Sequence, residues 1–225
     1  MKRAIRSAIM LAAAAMLTAT APKTVGWNHT IAVTAEGHLI GNPAAKVKLA
    51  EYVSYTCAEC ASFMIQSDGA LQIGYVSSGR VAIEVRHLIQ GPVDLAAAML
   101  ANCGTPDKFA LNHAALMRSQ SRWRETLERA GAAQKQRWTT GSLLSRGRAI
   151  ADDMGFYTVM ASRGFDRTAS DACLGDRALA NRIGEQSKAS YASGIKTAPS
   201  FTINGTLLEK TRSWAELRPQ IDASL

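Results

Sequence analysis

The sequence contains no internal repeat, no low-complexity tract and no long apolar run beyond its first twenty-one residues. These absences argue against a repeat protein, against a disordered chain and against a protein with several membrane spans. The 225 residues, 47% of them hydrophobic, have the ordinary composition of a folded chain and suffice for one or two packed domains.

A strong excess of one charge is also absent. The formal net charge is +8, and it falls by three, to +5, without Lys2, Arg3 and Arg6. The remaining basic residues are scattered among acids, as around Arg124 and Arg129, which favours solvated helix faces over a binding stripe. We therefore expect no nucleic-acid partner.

The first residues resemble a secretory signal peptide. A basic start is followed by ten apolar residues, 8–17, and by the small residues Ala19-Thr20-Ala21. Ten residues are too few to span a bilayer, which needs about 20. An uncleaved anchor or an ordinary buried helix are the alternatives, and Pro22 leaves cleavage after Ala19 open. We expect a signal peptide over residues 1–21 and a periplasmic or otherwise exported protein.

Cysteine is scarce, with four residues, and two of them form Cys57-Ala58-Glu59-Cys60. The motif follows a strand pattern and opens a helical one, so one helical turn brings both sulfurs together. Unpaired N–H groups and the dipole at the helix N-terminus favour a thiolate at Cys57. A thiolate with a low pKa beside a second thiol performs thiol–disulfide exchange. An even cysteine count fits an oxidising compartment.

The same pair could be half of a zinc site or an inert structural disulfide. Zinc needs two more ligands at a similar spacing. Cys103 and Cys173 stand alone in the sequence, and the four histidines form no ligand cluster. We expect no metal and no cofactor.

The residues around the motif are expected to tune it. Thr56 and Glu59 fit a capping box, with Thr56 as N-cap and Glu59 reaching back to it. In the alternative, functional interpretation, the Glu59 carboxylate disfavours a thiolate at Cys57 and makes the disulfide less oxidising. Thr56, Ala58 and Glu59 are therefore candidate redox-tuning residues.

Glu51 interrupts an otherwise apolar strand face formed by Val47, Leu49 and Val53. A buried acid is costly unless it has a partner or a role. We infer a buried proton donor and acceptor for Cys60, with its pKa raised by desolvation. The alternative is a surface acid on an edge strand.

Strand patterns lie at both ends of the chain and helical patterns fill the middle. We interpret residues 24–35 as a leader segment that precedes the predicted strands. The predicted strands are 37–41, 46–53, 81–89, 200–203 and 206–208, the last two joined by a turn at Asn204-Gly205. The predicted helices are one from Cys57 onward, 93–101, 106–118, 123–130, 141–154, 176–192, and one from the capping box Ser213-x-x-Glu216, which Pro219 should kink or shorten. This order favours one sheet built from both ends with a helical insertion.

Together these features resemble the thioredoxin superfamily, and within it the exported DsbA-like disulfide oxidoreductases. The resemblance rests on Glu51, on Cys57-x-x-Cys60 and on Thr197-Ala198-Pro199-Ser200-Phe201, and it covers nearly the whole mature chain. It implies an α/β thioredoxin-like fold with a central mixed sheet. The implied parts are a first half, 22–92, a helical insertion, 93–175, and a second half, 176–225.

The resemblance also implies roles for individual residues. Pro199 is expected to be cis and to face the disulfide, and Ala198 to pair with substrate backbone. Cys103 and Cys173 are expected to form a structural disulfide in the insertion, two buried free thiols being the alternative. The chain departs from the usual pattern at Ala58-Glu59, where the oxidases often have Pro-His, and at Ala198, where Val or Thr is common. Both departures lie where the redox potential and the substrate choice are set, so they bear on the direction of electron flow.

The function that follows is a thiol–disulfide oxidoreductase that forms disulfides in exported proteins. Its expected partners are unfolded or reduced exported proteins and a membrane redox partner, either a quinone-linked oxidase or an electron donor. One alternative is a reductase or isomerase kept reduced by a membrane donor. Another, of a different class, is a Cu(I)-delivery module that uses the same two thiolates.

Overall fold

Strands rich in β-branched residues from both ends of the chain form one mixed sheet. The computed structural model describes residues 26–225, so the predicted signal peptide lies outside the described residues. Within them the strands are β1 Ile31–Val33, β2 His38–Gly41, β3 Val47–Val53, β4 Val81–His87, β5 Ser200–Ile203 and β6 Thr206–Leu207. Their order is β1-β2-β4-β3-β5-β6, with β3 and β4 parallel and all other neighbours antiparallel.

Ten α-helices accompany this sheet in the described part of the chain. They are α1 Ala58–Ala70, α2 Pro92–Ala101, α3 Phe109–Arg118, α4 Gln120–Arg129, α5 Ala132–Thr139, α6 Leu143–Asp153, α7 Phe156–Ala161, α8 Arg167–Gly175, α9 Arg177–Ala192 and α10 Trp214–Ser224. A π-helical segment, Leu71–Val76, continues α1, and 3-10 turns cover Trp27–His29 and Pro106–Lys108. None of the helices in residues 26–225 combines the length and apolarity that a membrane crossing requires.

The core lies mainly on the sheet face that carries α1. Val47, Leu49 and Val53 of β3 point into it, as their period of two predicts. Helix α1 packs against α3 and α10, and its Phe63 ring lies 4.6 Å from the Phe201 ring of β5. On the opposite face a smaller cluster contains Ala50, Tyr52, Leu88 and Ile195, beside α9, which packs on β4. These contacts hold α1, the helix that follows Cys57, against the centre of the sheet.

The structure confirms the predicted mixed α/β architecture and departs from several of the predicted elements. The predicted leader contains the edge strand β1. Helices α5, α7 and α8 were absent from the predicted set; they have eight, six and nine residues, so tertiary packing rather than periodicity defines them. The Ser213 capping box is confirmed, but α10 continues through Pro219 to Ser224. Pro219 and Ala215 are exposed, so the carbonyl that loses its N–H partner faces solvent.

Candidate functional site

Cys57 is the residue from which α1 begins. The helix starts at Ala58, Cys57 is its N-cap, and the Cys57 Sγ accepts the backbone N–H of Cys60 at 3.1 Å. The predicted capping box between Thr56 and Glu59 is therefore wrong, because the helix begins one residue later than expected and a sulfur occupies the capping position. Thr56 Oγ1 instead hydrogen-bonds Ser54 Oγ at 2.9 Å.

The two thiols have opposite acidities. Hydrogen bonding from the Cys60 thiol, followed by its backbone N–H, lowers the pKa of Cys57, although burial and the Glu59 carboxylate oppose that shift. Burial, followed by the hydrogen bond to Cys57, raises the pKa of Cys60. Cys57 is 8% exposed and Cys60 only 1%. The outer sulfur is thus the more acidic of the two, and the inner sulfur keeps its proton to higher pH.

Glu59 lies directly beside the nucleophile. Its Oε2 is 3.6 Å from the Cys57 Sγ, from which it accepts a weak thiol hydrogen bond. A carboxylate at this distance stabilises the protonated thiol and destabilises the thiolate. Ala58, the other central residue of the motif, forms the first turn of α1 and brings no charge to the site.

The Ala198–Pro199 segment reaches the same sulfur from the far end of the sequence. The Ala198–Pro199 peptide bond is cis, and the Ala198 carbonyl oxygen lies 3.3 Å from the Cys57 Sγ, where it is the alternative acceptor to Glu59 for the single thiol hydrogen. Pairing of β5 with β3, with Ser200 opposite Tyr52, places this segment at the end of the strand that leads into the motif. Pro199 is buried and Ala198 is half-buried.

Glu51 is buried in the middle of β3, with 6% exposure. The alternative of a surface acid on an edge strand is wrong, since β3 lies between β4 and β5. The carboxyl lines a cavity of about 400 Å³ together with Met64, Ser67 and Asp68, and its Oε1 has no hydrogen-bond partner. Burial, and then the charge of Asp68, raises the pKa of Glu51 to about 8. Residues of α1 and α3 line this cavity with Glu51, whereas Cys60 does not.

The other two cysteines join the ends of the helical middle. Cys103, just after α2, forms a disulfide with Cys173 of α8, with their Cα atoms 5.6 Å apart. In residues 26–225 no group of three or more His, Cys, Asp or Glu side chains is placed to hold a metal ion. The zinc alternative therefore finds no ligand set in this part of the chain.

Two polar residues at the site were not predicted from the sequence. Asp94 of α2 accepts the Ser54 hydroxyl at 2.6 Å and the Tyr55 N–H at 2.7 Å. Gln120 of α4 donates to the Tyr55 carbonyl at 2.6 Å and to the Cys57 carbonyl at 2.8 Å. Asp94 had a sequence signal, as an acid within the apolar run that follows Pro92, whereas Gln120 lies in a polar stretch without one.

The fold and this arrangement define a thioredoxin-like protein that carries a redox-type cysteine pair. The family model described as Thioredoxin matches residues 33–223, and the chain belongs to that family. It also shares its fold with DsbA-like proteins of known structure. This outcome confirms the family that the sequence resembles.

Known proteins agree with this assignment. A protein-disulfide isomerase from Novosphingobium aromaticivorans has 46% sequence identity and a TM-score of 0.80, over 84% of this chain and 98% of that one. The alpha-DsbA1 of Wolbachia pipientis shares the fold at 19% identity and a TM-score of 0.66, over 82% and 88% of the two chains. A candidate protein-disulfide oxidoreductase of Rickettsia bellii is 24% identical over 84% of this chain, which spans 64% of that relative's length.

Proposed function

We propose that this protein is an exported thiol–disulfide oxidoreductase that forms disulfides in other exported proteins through Cys57 and Cys60. The observation that carries the proposal is the position of the Cys57 sulfur. It caps α1, accepts the Cys60 N–H and contacts the Ala198 carbonyl beside Pro199. The names of the Novosphingobium and Rickettsia relatives support the same chemistry.

The reaction is a pair of thiol–disulfide exchanges. A substrate thiolate attacks Cys57 in the oxidised protein, an S–S bond forms between substrate and Cys57, and the Cys57–Cys60 bond breaks with Cys60 leaving as a thiolate that takes up a proton. A second substrate thiolate then attacks the substrate sulfur of the mixed disulfide and releases Cys57. The substrate is oxidised by two electrons, and the cysteine pair is reduced by two.

Glu51 is proposed as the proton donor and acceptor for Cys60. Its pKa of about 8 lies close to neutral pH, where a carboxyl can both give and take a proton. The Glu51 Oε1 is buried without a hydrogen-bond partner, which leaves that oxygen free to take up or release a proton.

Ala198 is proposed to pair with the backbone of an extended substrate. It is half-buried and adjoins Cys57, so a peptide held there presents its cysteine to the nucleophile. Unfolded or reduced exported proteins are the proposed substrates. A membrane redox partner, a quinone-linked oxidase in the oxidising direction, is proposed to regenerate the disulfide, and the signal-like residues 1–21 support export.

One observation favours the opposite direction. The Glu59 carboxylate beside Cys57 opposes the thiolate and so stabilises the disulfide relative to the dithiol, which makes the pair a weaker oxidant. A reductase or isomerase kept reduced by a membrane donor is therefore the second candidate.

The redox state of the pair in living cells distinguishes the two. Acid quenching followed by alkylation with a mass-tagging reagent counts free thiols at Cys57 and Cys60 in the full chain, while a Cys57→Ala/Cys60→Ala variant gives the background from Cys103 and Cys173. A pair found mostly as the disulfide supports the oxidase. A pair found mostly as the dithiol contradicts it and supports the reductase or isomerase.

A further inference from the structure

Tyr55 lies two residues before Cys57 and is completely buried. It has three hydrogen-bonding groups, namely its backbone N–H, its backbone carbonyl and its phenol hydroxyl. Each of the three bonds to a buried side chain of a different helix in the middle of the chain. Tyr55 is therefore the point at which the segment leading into the redox motif is attached to that helical layer.

The first attachment is to α2. The Asp94 carboxylate accepts the Tyr55 N–H at 2.7 Å and, through its other oxygen, the Ser54 hydroxyl at 2.6 Å and the Gln90 N–H at 3.0 Å. Asp94 is fully buried, and burial raises its pKa to about 6, so it remains a carboxylate acceptor at neutral pH.

The second attachment is to α3. The Tyr55 hydroxyl and the His113 Nδ1 are 2.8 Å apart. His113 is 6% exposed, and burial lowers its pKa to about 4, so the ring is neutral and Nδ1 can accept the phenol hydrogen.

The third attachment is to α4 and reaches the nucleophile itself. One amide nitrogen of Gln120 donates to the Tyr55 carbonyl at 2.6 Å and to the Cys57 carbonyl at 2.8 Å. Gln120 is 4% exposed, so no solvent replaces these two bonds if the amide is removed.

We propose that Asp94, His113 and Gln120 form a clamp on Tyr55 that positions Cys57 for thiolate formation and thereby sets the oxidising strength of the redox pair. The proposal rests on the thiol–disulfide exchange proposed above. The three are positioning residues, since none touches the reacting sulfurs in this structure.

The clamp acts more strongly on one redox state than on the other. In the dithiol form, only non-covalent contacts and the conformation of residues 55–57 hold the Cys57 sulfur against the Cys60 N–H. In the disulfide form, the covalent bond to Cys60 holds that sulfur in place. Removal of the clamp therefore costs the dithiol form more, which raises the pKa of Cys57 and makes the protein a weaker oxidant.

Gln120→Met tests the clamp, because methionine fills a similar volume and donates no hydrogen bond. Gln186→Met is the matched control: one Gln186 amide nitrogen also donates to two backbone carbonyls, of Thr34 and Ala35, at 3.4 and 3.1 Å, away from the redox motif. The readouts on the full-length protein are the equilibrium constant with glutathione and the pKa of Cys57, followed by thiolate absorbance near 240 nm.

For Gln120→Met we expect the equilibrium to shift toward the disulfide by roughly threefold to tenfold, with a higher pKa of Cys57. Gln186→Met should lower thermal stability and leave both values unchanged. A Gln120→Met protein with the wild-type equilibrium constant and the wild-type pKa of Cys57 would overturn the clamp. So would a Gln186→Met protein in which both values shift as much as in Gln120→Met.

If Gln120→Met does not fold, the same two values are measured for Tyr55→Phe. A smaller shift in the same direction supports the clamp, and no shift overturns it. Wild type that fails to exchange with glutathione would refute the proposed function, which is a separate outcome.

Discussion

Cys57 is subject to opposing electrostatic influences at the scale of single residues. The Cys60 hydrogen bonds and the start of α1 favour its thiolate, while burial and the Glu59 carboxylate oppose it. Because these effects act on one sulfur, a change in any of them alters the acidity of Cys57 and the oxidising strength of the pair together.

Glu59→His is expected to make the pair a stronger oxidant. The change removes a like charge 3.6 Å from the sulfur and supplies a group that can be positive. At a partly solvated site this is worth on the order of 1 kcal/mol or more, hence about a tenfold change in the equilibrium constant with glutathione. Redox equilibration with glutathione measures it, with Glu185→His, a distant exposed site, as control. An unchanged or lower potential in Glu59→His would contradict the tuning role.

Glu51 should make the free energy of unfolding fall as the pH rises. Its folded pKa of about 8 exceeds its ordinary value of 4.5, so between these values the unfolded chain loses the proton while the folded chain keeps it. The free energy of unfolding therefore falls from pH 4.5 to 8, by an amount on the order of 5 kcal/mol if the shift is complete. Below pH 4.5 both states are protonated and the effect disappears.

Glu51→Gln should remove that dependence and stabilise the protein above pH 5, with the largest gain at pH 8. Urea unfolding at pH 4.5, 6 and 8, compared with exposed Glu185→Gln, measures the difference. A Glu51→Gln protein whose stability falls with pH as steeply as that of the wild type would show that Glu51 ionises normally.

At the scale of elements, the helical middle is linked internally by the Cys103–Cys173 disulfide, which closes a loop of 70 residues between α2 and α8. It lies outside the redox site, so its contribution is expected in stability rather than in exchange. The roles of the Cys103–Cys173 disulfide and of the Cys57–Cys60 pair can therefore be tested separately.

Replacement of both Cys103 and Cys173 by alanine should lower the free energy of unfolding by about 4 kcal/mol in the chain-entropy model. Chemical denaturation under oxidising conditions measures the loss. The glutathione equilibrium of Cys57 and Cys60 should stay at the wild-type value. A variant as stable as wild type, or one with a shifted redox equilibrium, would contradict a purely structural role.

Helices and strands could be predicted where the pattern that defines them lies within a few neighbouring residues. Strand β3 and helix α2 follow from periodicity, and the Ser213 cap follows from a four-residue motif. The start of α1 was misplaced by one residue, because Thr56 is a preferred capping residue whereas the observed cap depends on the contact of the Cys57 sulfur with the Cys60 N–H. Pro219 does not shorten α10, which continues to Ser224, and its predicted kink stays a prediction.

At the scale of the whole molecule, the sheet joins strands from the two ends of the chain around Glu51. The family resemblance carried this topology, since no periodicity states that β5 pairs with β3. The resemblance also predicted that the Ala198–Pro199 segment faces Cys57, although Ala198 and Cys57 are 141 positions apart in the sequence. The contacts of Asp94 and Gln120 could not be predicted, because they depend on how the helical layer packs against the redox motif, and packing leaves no pattern in a single sequence.

The central claim is that Cys57 exchanges disulfides with other proteins, and trapping of the mixed disulfide tests it most directly. A Cys60→Ala variant should accumulate a covalent complex when its Cys57, activated as a mixed disulfide with glutathione, meets a reduced cysteine peptide; mass spectrometry should place the bond at Cys57, and Cys57→Ala should give none. Absence of the complex in Cys60→Ala, or equal capture by Cys57→Ala, would contradict the account.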